Sequence, residues 1–309
     1  MNWKTRATIL RLLDKAPLGP RVYQILQRAA GEHRRPEFLL SKLRQCADLL
    51  TLARQRVPIR GACVLEVGSG WVPVLPVACW LCGAKRIVTY DLNRYLLSNG
   101  LGRFLDFLRL RSNEIATMFA DVADDELVRS RLATIEPFAK RPMAFLDYAG
   151  IEYLAPADAS ATSLMPRSVD LHCSLNTWEH IPENALQAIL REAARVLRPS
   201  GAAVHFVDPT DHFAYSDRSL LSMNFLRFSD RQWARYGGNR FTYHNRFHDS
   251  DYRALVASTG LAIRGATWQL DADSSRAIAS GELPVHAEAA RGRSADEMCR
   301  YDLRYVMTL

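Results

Sequence analysis

The chain has 309 residues, 48% hydrophobic and 24% charged, with a formal charge of +7, ordinary values for a globular protein of one large domain or a domain plus an appendage. No stretch reaches the roughly 18 apolar residues of a membrane span, and the N-terminus lacks a long uncharged signal core, so a cytoplasmic protein is expected. The charge is uneven: residues 1–60 hold 13 Lys and Arg against 4 Asp and Glu, and the remainder holds 27 against 29.

The first sixty residues read as a helical N-terminal region. Ile9, Leu12, Leu13 and then Val22, Ile25, Leu26 recur at helical spacing on either side of a Pro17-to-Pro20 break, and a further apolar stripe runs from Phe38 to Ala53. A basic segment of this kind is either a solvated amphipathic face or a contact for nucleic acid, anionic lipid or an anionic substrate. It contains no run of five basic residues, which weighs against nucleic acid. From residue 61 short strands alternate with helices: strands at 64–67, 86–90, 151–154, 169–174 and 202–207, helices at 72–82 and 92–110, further helices within 112–142, and a strong amphipathic helix after Pro182 that ends at Pro199 and Gly201. Gly100 and Gly102 are expected to interrupt the helix that contains them. Residues 209–246 break the alternation as an insertion rich in aromatic, Arg, His and Asn residues. A helix at 249–259, a strand from Leu261 and a last strand at the C-terminus follow. The expected architecture is a doubly wound, mostly parallel seven-stranded α/β sheet over residues 61–309, with the insertion on the carboxyl side of the fifth strand, where open α/β sheets bind ligands. The six cysteines are scattered; the pair Cys79 and Cys82 falls in an apolar helical run and reads as core thiols.

The stretch CVLEVGSGWVPVL resembles a nucleotide turn in part only. Gly68 and Gly70 let backbone approach a ligand closely. Trp71, Val72 and Pro73 stand where a dinucleotide loop has its third glycine, and they crowd a diphosphate. Asp91, 21 residues beyond Gly70 at the end of the second strand, is placed for two ribose hydroxyls, and Glu66 favours a cation over a phosphate. A ligand with a ribose, positive charge and no phosphate is required, and S-adenosylmethionine meets that description.

At this point the chain resembles the class I S-adenosylmethionine-dependent methyltransferases, whose fold is Rossmann-like. LEVGSG, with Glu66, Gly68, Ser69 and Gly70, is similar to the family's first motif; Asp91, followed by Leu92, matches its ribose-binding acid. Asp158-Ala159 resembles the segment that reads the adenine amino group, and residues 169–174, ending in Ser174, resemble the fourth strand. LNTWEHI and ARVLRPSG match the segments around it. About sixty residues separate Asp91 from the third strand, longer than usual, which makes Asp121 a competitor to Asp158.

Methyl transfer to an acceptor that carries a proton gains from a general base at the carboxyl ends of strands four and five. Two clusters stand there, Trp178-Glu179-His180 and the run HFVDPTDH; the candidates are His180, Asp208, Asp211 and His212, while His205 is expected mid-strand and buried. Histidines suit proton acceptance near neutral pH. His205, Asp208, Asp211 and His212 could supply mixed metal ligands, but the strand would turn His205 away, the spacing is not that of a metal loop, and no metal is assigned. Trp178 and, from the insertion, Arg240, Tyr243, His244, Asn245 and Arg246 are expected to meet the substrate. A cap of that composition suits a small polar or glycan-type acceptor, with O-methylation ahead of N or S; the insertion also resembles that of methyltransferases in bacterial glycan and secondary-metabolite pathways. Two alternatives stay open: a nucleic-acid methyltransferase using the basic N-terminal region, against which stands the absence of the family's Asn/Asp-Pro-Pro-aromatic and Pro-Cys motifs, and a non-catalytic protein that only binds S-adenosylmethionine.

Overall fold

A computed structural model describes residues 2–31 and 35–309. The N-terminal periodicities become helices α1 (Trp3–Lys15), α2 (Gly19–Ala30) and α3 (Pro36–Arg54). The alternating region gives β1 (Cys63–Val67), α4 (Val74–Leu81), β2 (Arg86–Tyr90), α5 (Ser98–Leu110), α6 (Ser112–Met118), α7 (Asp125–Ala133), α8 (Pro142–Tyr148), β3 (Ile151–Leu154), β4 (Val169–Leu175), α9 (Glu183–Val196) and β5 (Leu197–Val207). It continues through α10 (Asp230–Gly237), α11 (Asp249–Ala257), β6 (Ala262–Leu270), α12 (Ala272–Ala279), α13 (Ala287–Ala290), α14 (Ala295–Met298) and β7 (Arg300–Thr308).

The seven strands form one sheet in the order β3-β2-β1-β4-β5-β7-β6. β1 to β5 pair in parallel, and β7 runs antiparallel to both β5 and β6, so the sheet is mixed. Strand order reverses between β1 and β4. That opens a crevice at their carboxyl ends, the place such sheets keep for a ligand. Both faces are covered. One face packs under α3, α4 and α5 through Leu43, Leu50, Val77, Phe104 and Phe206; the other packs under α9 and α11 through Leu65, Leu190, Val196 and Val256.

Two local expectations change. The segment from Leu92 to Leu97 is not helical, and α5 starts only at Ser98. Gly100 and Gly102 both lie within α5 instead of interrupting it, and the reason for the second is a close contact at Gly102. A Cβ there would stand 2.9 Å from Pro142 Cγ, so the glycine allows α8 to pack against α5. Cys79 and Cys82 are buried in α4.

A third core joins α1, through Trp3 and Ala7, to Phe213, Phe225, Leu226 and Trp233 of the 209–246 segment and to Ala277, Leu283 and Met298. The N-terminal helices therefore divide between two cores: α3 belongs to the sheet, α1 to the segment that follows β5. Asn245 stitches that segment to the loop after β4. Its amide nitrogen Nδ2 donates to the Trp178 carbonyl at 2.8 Å and the Ile181 carbonyl at 3.1 Å, and its Oδ1 accepts from Phe247 N at 3.1 Å and from the Tyr252 hydroxyl at 3.0 Å. Its backbone N–H donates to the Glu179 carbonyl at 2.9 Å. At the sheet's edge, β6 pairs with β7 through register shifts between Ile263 and Gly265 and between Thr267 and Gln269.

Removing the Asn245 side chain leaves several buried partners unsatisfied. Asn245→Ala is expected to cost about 3 kcal/mol in urea unfolding. Arg240→Ala removes only an exposed ion pair to Asp14 on α1 and is expected to stay within about 0.5 kcal/mol of the parent. Equal losses would contradict the assignment of Asn245 as the tie.

Candidate functional site

The chain leaves β1 through two glycines in left-handed conformations, Gly68 at φ 91° and Gly70 at φ 63°. Gly68 N–H donates to the Tyr90 carbonyl at 2.8 Å, which lashes the exit of β1 to the end of β2. A Cβ on Gly68 would fall 2.6 Å from Thr177 Cγ2, whereas one on Gly70 would meet nothing within 4 Å. The backbone is thus packed on one side and bare on the other. Asp91 stands beside it: Oδ2 accepts from Gly70 N–H at 2.9 Å and Oδ1 from Asn93 N–H at 2.8 Å. Burial raises its pKa, and those two amides oppose the rise. Glu66 is buried, and burial pushes its carboxyl up to about 7 although Thr89 donates to it. Ser69 is turned toward Thr89, completing a small buried polar chain. Leu92 is 70% exposed next to Asp91. Ala157 N–H donates to the Asp91 carbonyl at 2.9 Å, so Asp158, exposed, and Ala159, buried, come from the neighbouring strand end. The backbone carbonyl of Asp121, by contrast, accepts from Arg54 at the end of α3, in the connection that leads into the amino end of β1.

A second group of polar side chains gathers where β4 and β5 end. Asp208, after β5, accepts from Thr210 Oγ1 at 2.6 Å and from the Tyr215 hydroxyl, and its Oδ2 lies 3.6 Å from His212 Nε2. Burial works against the Asp208 carboxylate, but His212, Thr210 and Tyr215 outweigh it and hold its pKa below the usual range. Burial likewise disfavours the charged His212 ring; Asp208, with Glu179 and Asp211, reverses this and raises its pKa. His180 meets His212 edge-on at 4.8 Å between ring centroids, and its Nδ1 lies 3.0 Å from the Tyr243 carbonyl. Its side chain is 45% exposed at the mouth of the recess. Withdrawal from water and the neighbouring His212 pull it down to about 4. Behind it, Glu179 is fully buried with no partner on either carboxylate oxygen, and burial pushes it up to about 8. Glu179 Oε1 stands 4.0 Å from His180 Nε2.

Several expected ligand contacts are used inside the protein. Ser174 is fully buried, its hydroxyl 2.7 Å from His205 Nδ1, and His205 Nε2 in turn lies 3.0 Å from His172 Nδ1. Strand geometry thus points His205 into the sheet, as expected. Trp178 is buried against His205 and Tyr305. The Arg246 guanidinium donates to the Phe225 and Phe228 carbonyls at 3.1 and 2.6 Å and pairs with Asp230 at 3.0 Å. Asp211 accepts from Asn224 Nδ2 and Phe213 N–H, each at 2.9 Å, and secures the turn after β5. Trp178, Asn245, Arg246 and Ser174 therefore build the site's frame. His244 is buried with Nε2 unpartnered, 5.3 Å from His212 between centroids, so it faces the recess. Tyr243 reaches the recess through its carbonyl, and Arg240 stays outside it with Asp14.

Sequence reasoning missed Lys42 and Tyr215, and it named Glu179 only as the neighbour of His180 without giving it a role. Lys42 on α3 influences Glu179 and Asp208 electrostatically, and burial lowers its pKa; its Nζ donates to Gln45 Oε1 at 3.1 Å. Only tertiary packing brings α3 here. Glu179 was within reach, because it adjoins His180 in the sequence.

Residues 65–205 match the family model described as a methyltransferase domain. No curated protein matches the chain. Among solved structures, an S-adenosylmethionine-dependent methyltransferase from Mesorhizobium loti is 14% identical, covers 84% of this chain and 96% of its own, and has a TM-score of 0.44. Geranyl diphosphate C-methyltransferase from Streptomyces coelicolor A3(2) is 11% identical over 88% of this chain and 83% of its own, at a TM-score of 0.47.

The contact at Gly68 generates a sharp test. Gly68→Ala is expected to lose about 2–3 kcal/mol of stability, from the clash with Thr177 and from a left-handed φ on alanine. Adding Thr177→Ala is expected to recover the steric part and leave about 1 kcal/mol. No recovery in the double variant would place the cost elsewhere.

Proposed function

We propose that the chain is an S-adenosylmethionine-dependent methyltransferase that methylates a small polar acceptor, at oxygen in preference to nitrogen or sulfur, beside Glu179, His180, Asp208 and His212. The observation that carries this reading is the Asp208–His212 pair. It is a half-buried carboxylate–imidazole couple at the carboxyl end of β5, one strand beyond the glycine turn of β1 and its neighbour β4.

The residues around the turn fit the methyl donor. Gly70 has no atom within 4 Å of where a side chain would begin, which leaves its backbone bare for a ligand. Asp91, with its orientation fixed by two amides, is an acceptor-only group suited to ribose hydroxyls, and Glu66 suits an ammonium. Leu92 offers an apolar surface and Asp158 an acceptor for an exocyclic amine. S-adenosylmethionine supplies a methyl group already activated on a sulfonium. What remains for the chain is to hold the acceptor in line, exclude water and receive one proton. Asp208, anchored by Thr210 and Tyr215, orients His212 and stabilises its protonated form, so the pair takes the proton from an acceptor hydroxyl. The 209–246 segment acts as a cap, with His244 and the Tyr243 backbone at its inner surface and α1 bracing it from outside. Lys42 brings the helical N-terminal region to the same recess.

Two experiments test this. Calorimetric titration with S-adenosylhomocysteine is expected to lose about 100-fold or more in affinity in Asp91→Ala, since two charge-assisted hydrogen bonds disappear. Its pH dependence should report Glu66, whose pKa in the free protein lies at about 7. An ammonium binds the ionised form, so affinity is expected to rise between pH 6 and 8 and to flatten in Glu66→Gln. The same shift works oppositely on the free protein. A carboxyl held above its unfolded value contributes stability below about pH 4.5 that is lost as pH rises through about 7. Against a panel of hydroxyl acceptors, Asp208→Asn is expected to lower kcat about 10²–10⁴-fold while leaving S-adenosylhomocysteine affinity unchanged; unchanged kcat would remove the pair from the chemistry.

A further inference from the structure

Four unsatisfied atoms converge in the recess. Both oxygens of Glu179, His212 Nε2 and His244 Nε2 are buried without a hydrogen-bond partner. A fully buried carboxyl group with neither oxygen bonded is costly, and its ionised form is favoured only where a cation meets it. The Lys42 ammonium, whose charge acts on Glu179, donates to Gln45. Carboxylate and imidazole atoms of Glu179, His180 and His212 all lie within 4.8 Å of one another, and the remaining nitrogen of His180, Nδ1, is oriented by the Tyr243 carbonyl at 3.0 Å. An imidazole held through its second nitrogen by a backbone carbonyl is a metal ligand with its outer support already in place.

We propose that Glu179, His180 and His212 bind one divalent first-row transition-metal ion. Two imidazoles and one carboxylate are a donor set for ions such as Mn²⁺, Fe²⁺, Co²⁺ or Zn²⁺, and three protein ligands leave positions open for an incoming oxygen. Donor atoms at ~2.1 Å from an ion in a tetrahedral shell lie about 3.4 Å apart, so the atoms must draw inward by up to about an ångström. His180, at the mouth of the recess and 45% exposed, has room to do so. The proposal rests on the reading of the recess as the acceptor site and gives that site a second means of activation. With an ion bound, His212 Nε2 would serve as a ligand, and an acceptor hydroxyl on the ion would be more acidic, its proton passing to solvent water as the methyl group moves from sulfur to oxygen.

The test uses the full chain after chelator treatment and gel filtration, with Co²⁺ as probe. Calorimetry and the visible ligand-field absorption are expected to show one saturable Co²⁺ per chain. Glu179→Gln and His180→Ala are each expected to weaken it on the order of 100-fold, while S-adenosylhomocysteine binds both variants like the parent. The S-adenosylhomocysteine control separates loss of the ion site from loss of folding. Should the buried Glu179→Gln fail that control, His180→Ala, altered at the recess mouth, decides. No saturable uptake by the parent, or equal affinity in His180→Ala and parent, overturns the proposal. Because the readout needs no acceptor, failure to find a methylated hydroxyl compound would count against the acceptor reading and leave the ion site standing.

Discussion

The hydrogen bond from Gly68 N–H to the Tyr90 carbonyl, 2.8 Å long, sets the position of everything at the carboxyl edge of the sheet. A parallel sheet leaves its strand ends free to splay. This bond ties β1 to β2 just as the chain turns into a left-handed conformation that only glycine adopts without strain. With that turn fixed, Gly70 N–H meets Asp91 and the bare side of the turn faces the crevice. Thr177, from the loop after β4, closes against the other side. Three strand ends are thereby held in one arrangement by contacts that involve almost no side-chain entropy.

The recess beyond β4 and β5 is built on the opposite plan. Its frame is made of side chains engaged within the protein: Asn245 and Arg246 bind carbonyls, Trp178 packs against Tyr305, and Asp211 secures the turn after β5. What that frame holds together is a set of ionisable groups whose preferences conflict. Asp208 is held ionised, Glu179 and His180 are pushed toward their neutral forms, and His212 is drawn toward its charged form. Groups with such divergent environments in one small volume are where proton movement or cation binding is expected.

The strand–helix alternation and the glycine turn were legible because they depend on local pattern: apolar periodicity, proline and glycine punctuation, and an acid at the end of β2. Asp91 stands where its spacing from Gly70 placed it. The same local logic misjudged Gly102, whose presence answers to Pro142, forty residues away and adjacent only after folding. It also treated Trp178, Asn245 and Arg246 as ligand contacts, because polar and aromatic residues in a loop look alike whether they bind substrate or their own backbone. Lys42 was hidden for a related reason. A lysine on a distant helix gains meaning only from what it faces, and periodicity carries no such information. The helices between β6 and β7 left little trace, being short, two of them of four residues each.

The two register shifts along β6 have a consequence for the molecule in a crowded solution. An edge strand exposes a row of unpaired amides and carbonyls that can template another chain. Here Trp268 and Leu270 add exposed apolar surface to that edge. The irregularities at Ile263/Gly265 and Thr267/Gln269 break the ladder into short, twisted lengths, and Arg300 covers the Trp268 ring at 4.2 Å. An irregular edge of this kind offers a neighbouring molecule a shorter straight run of strand to pair with.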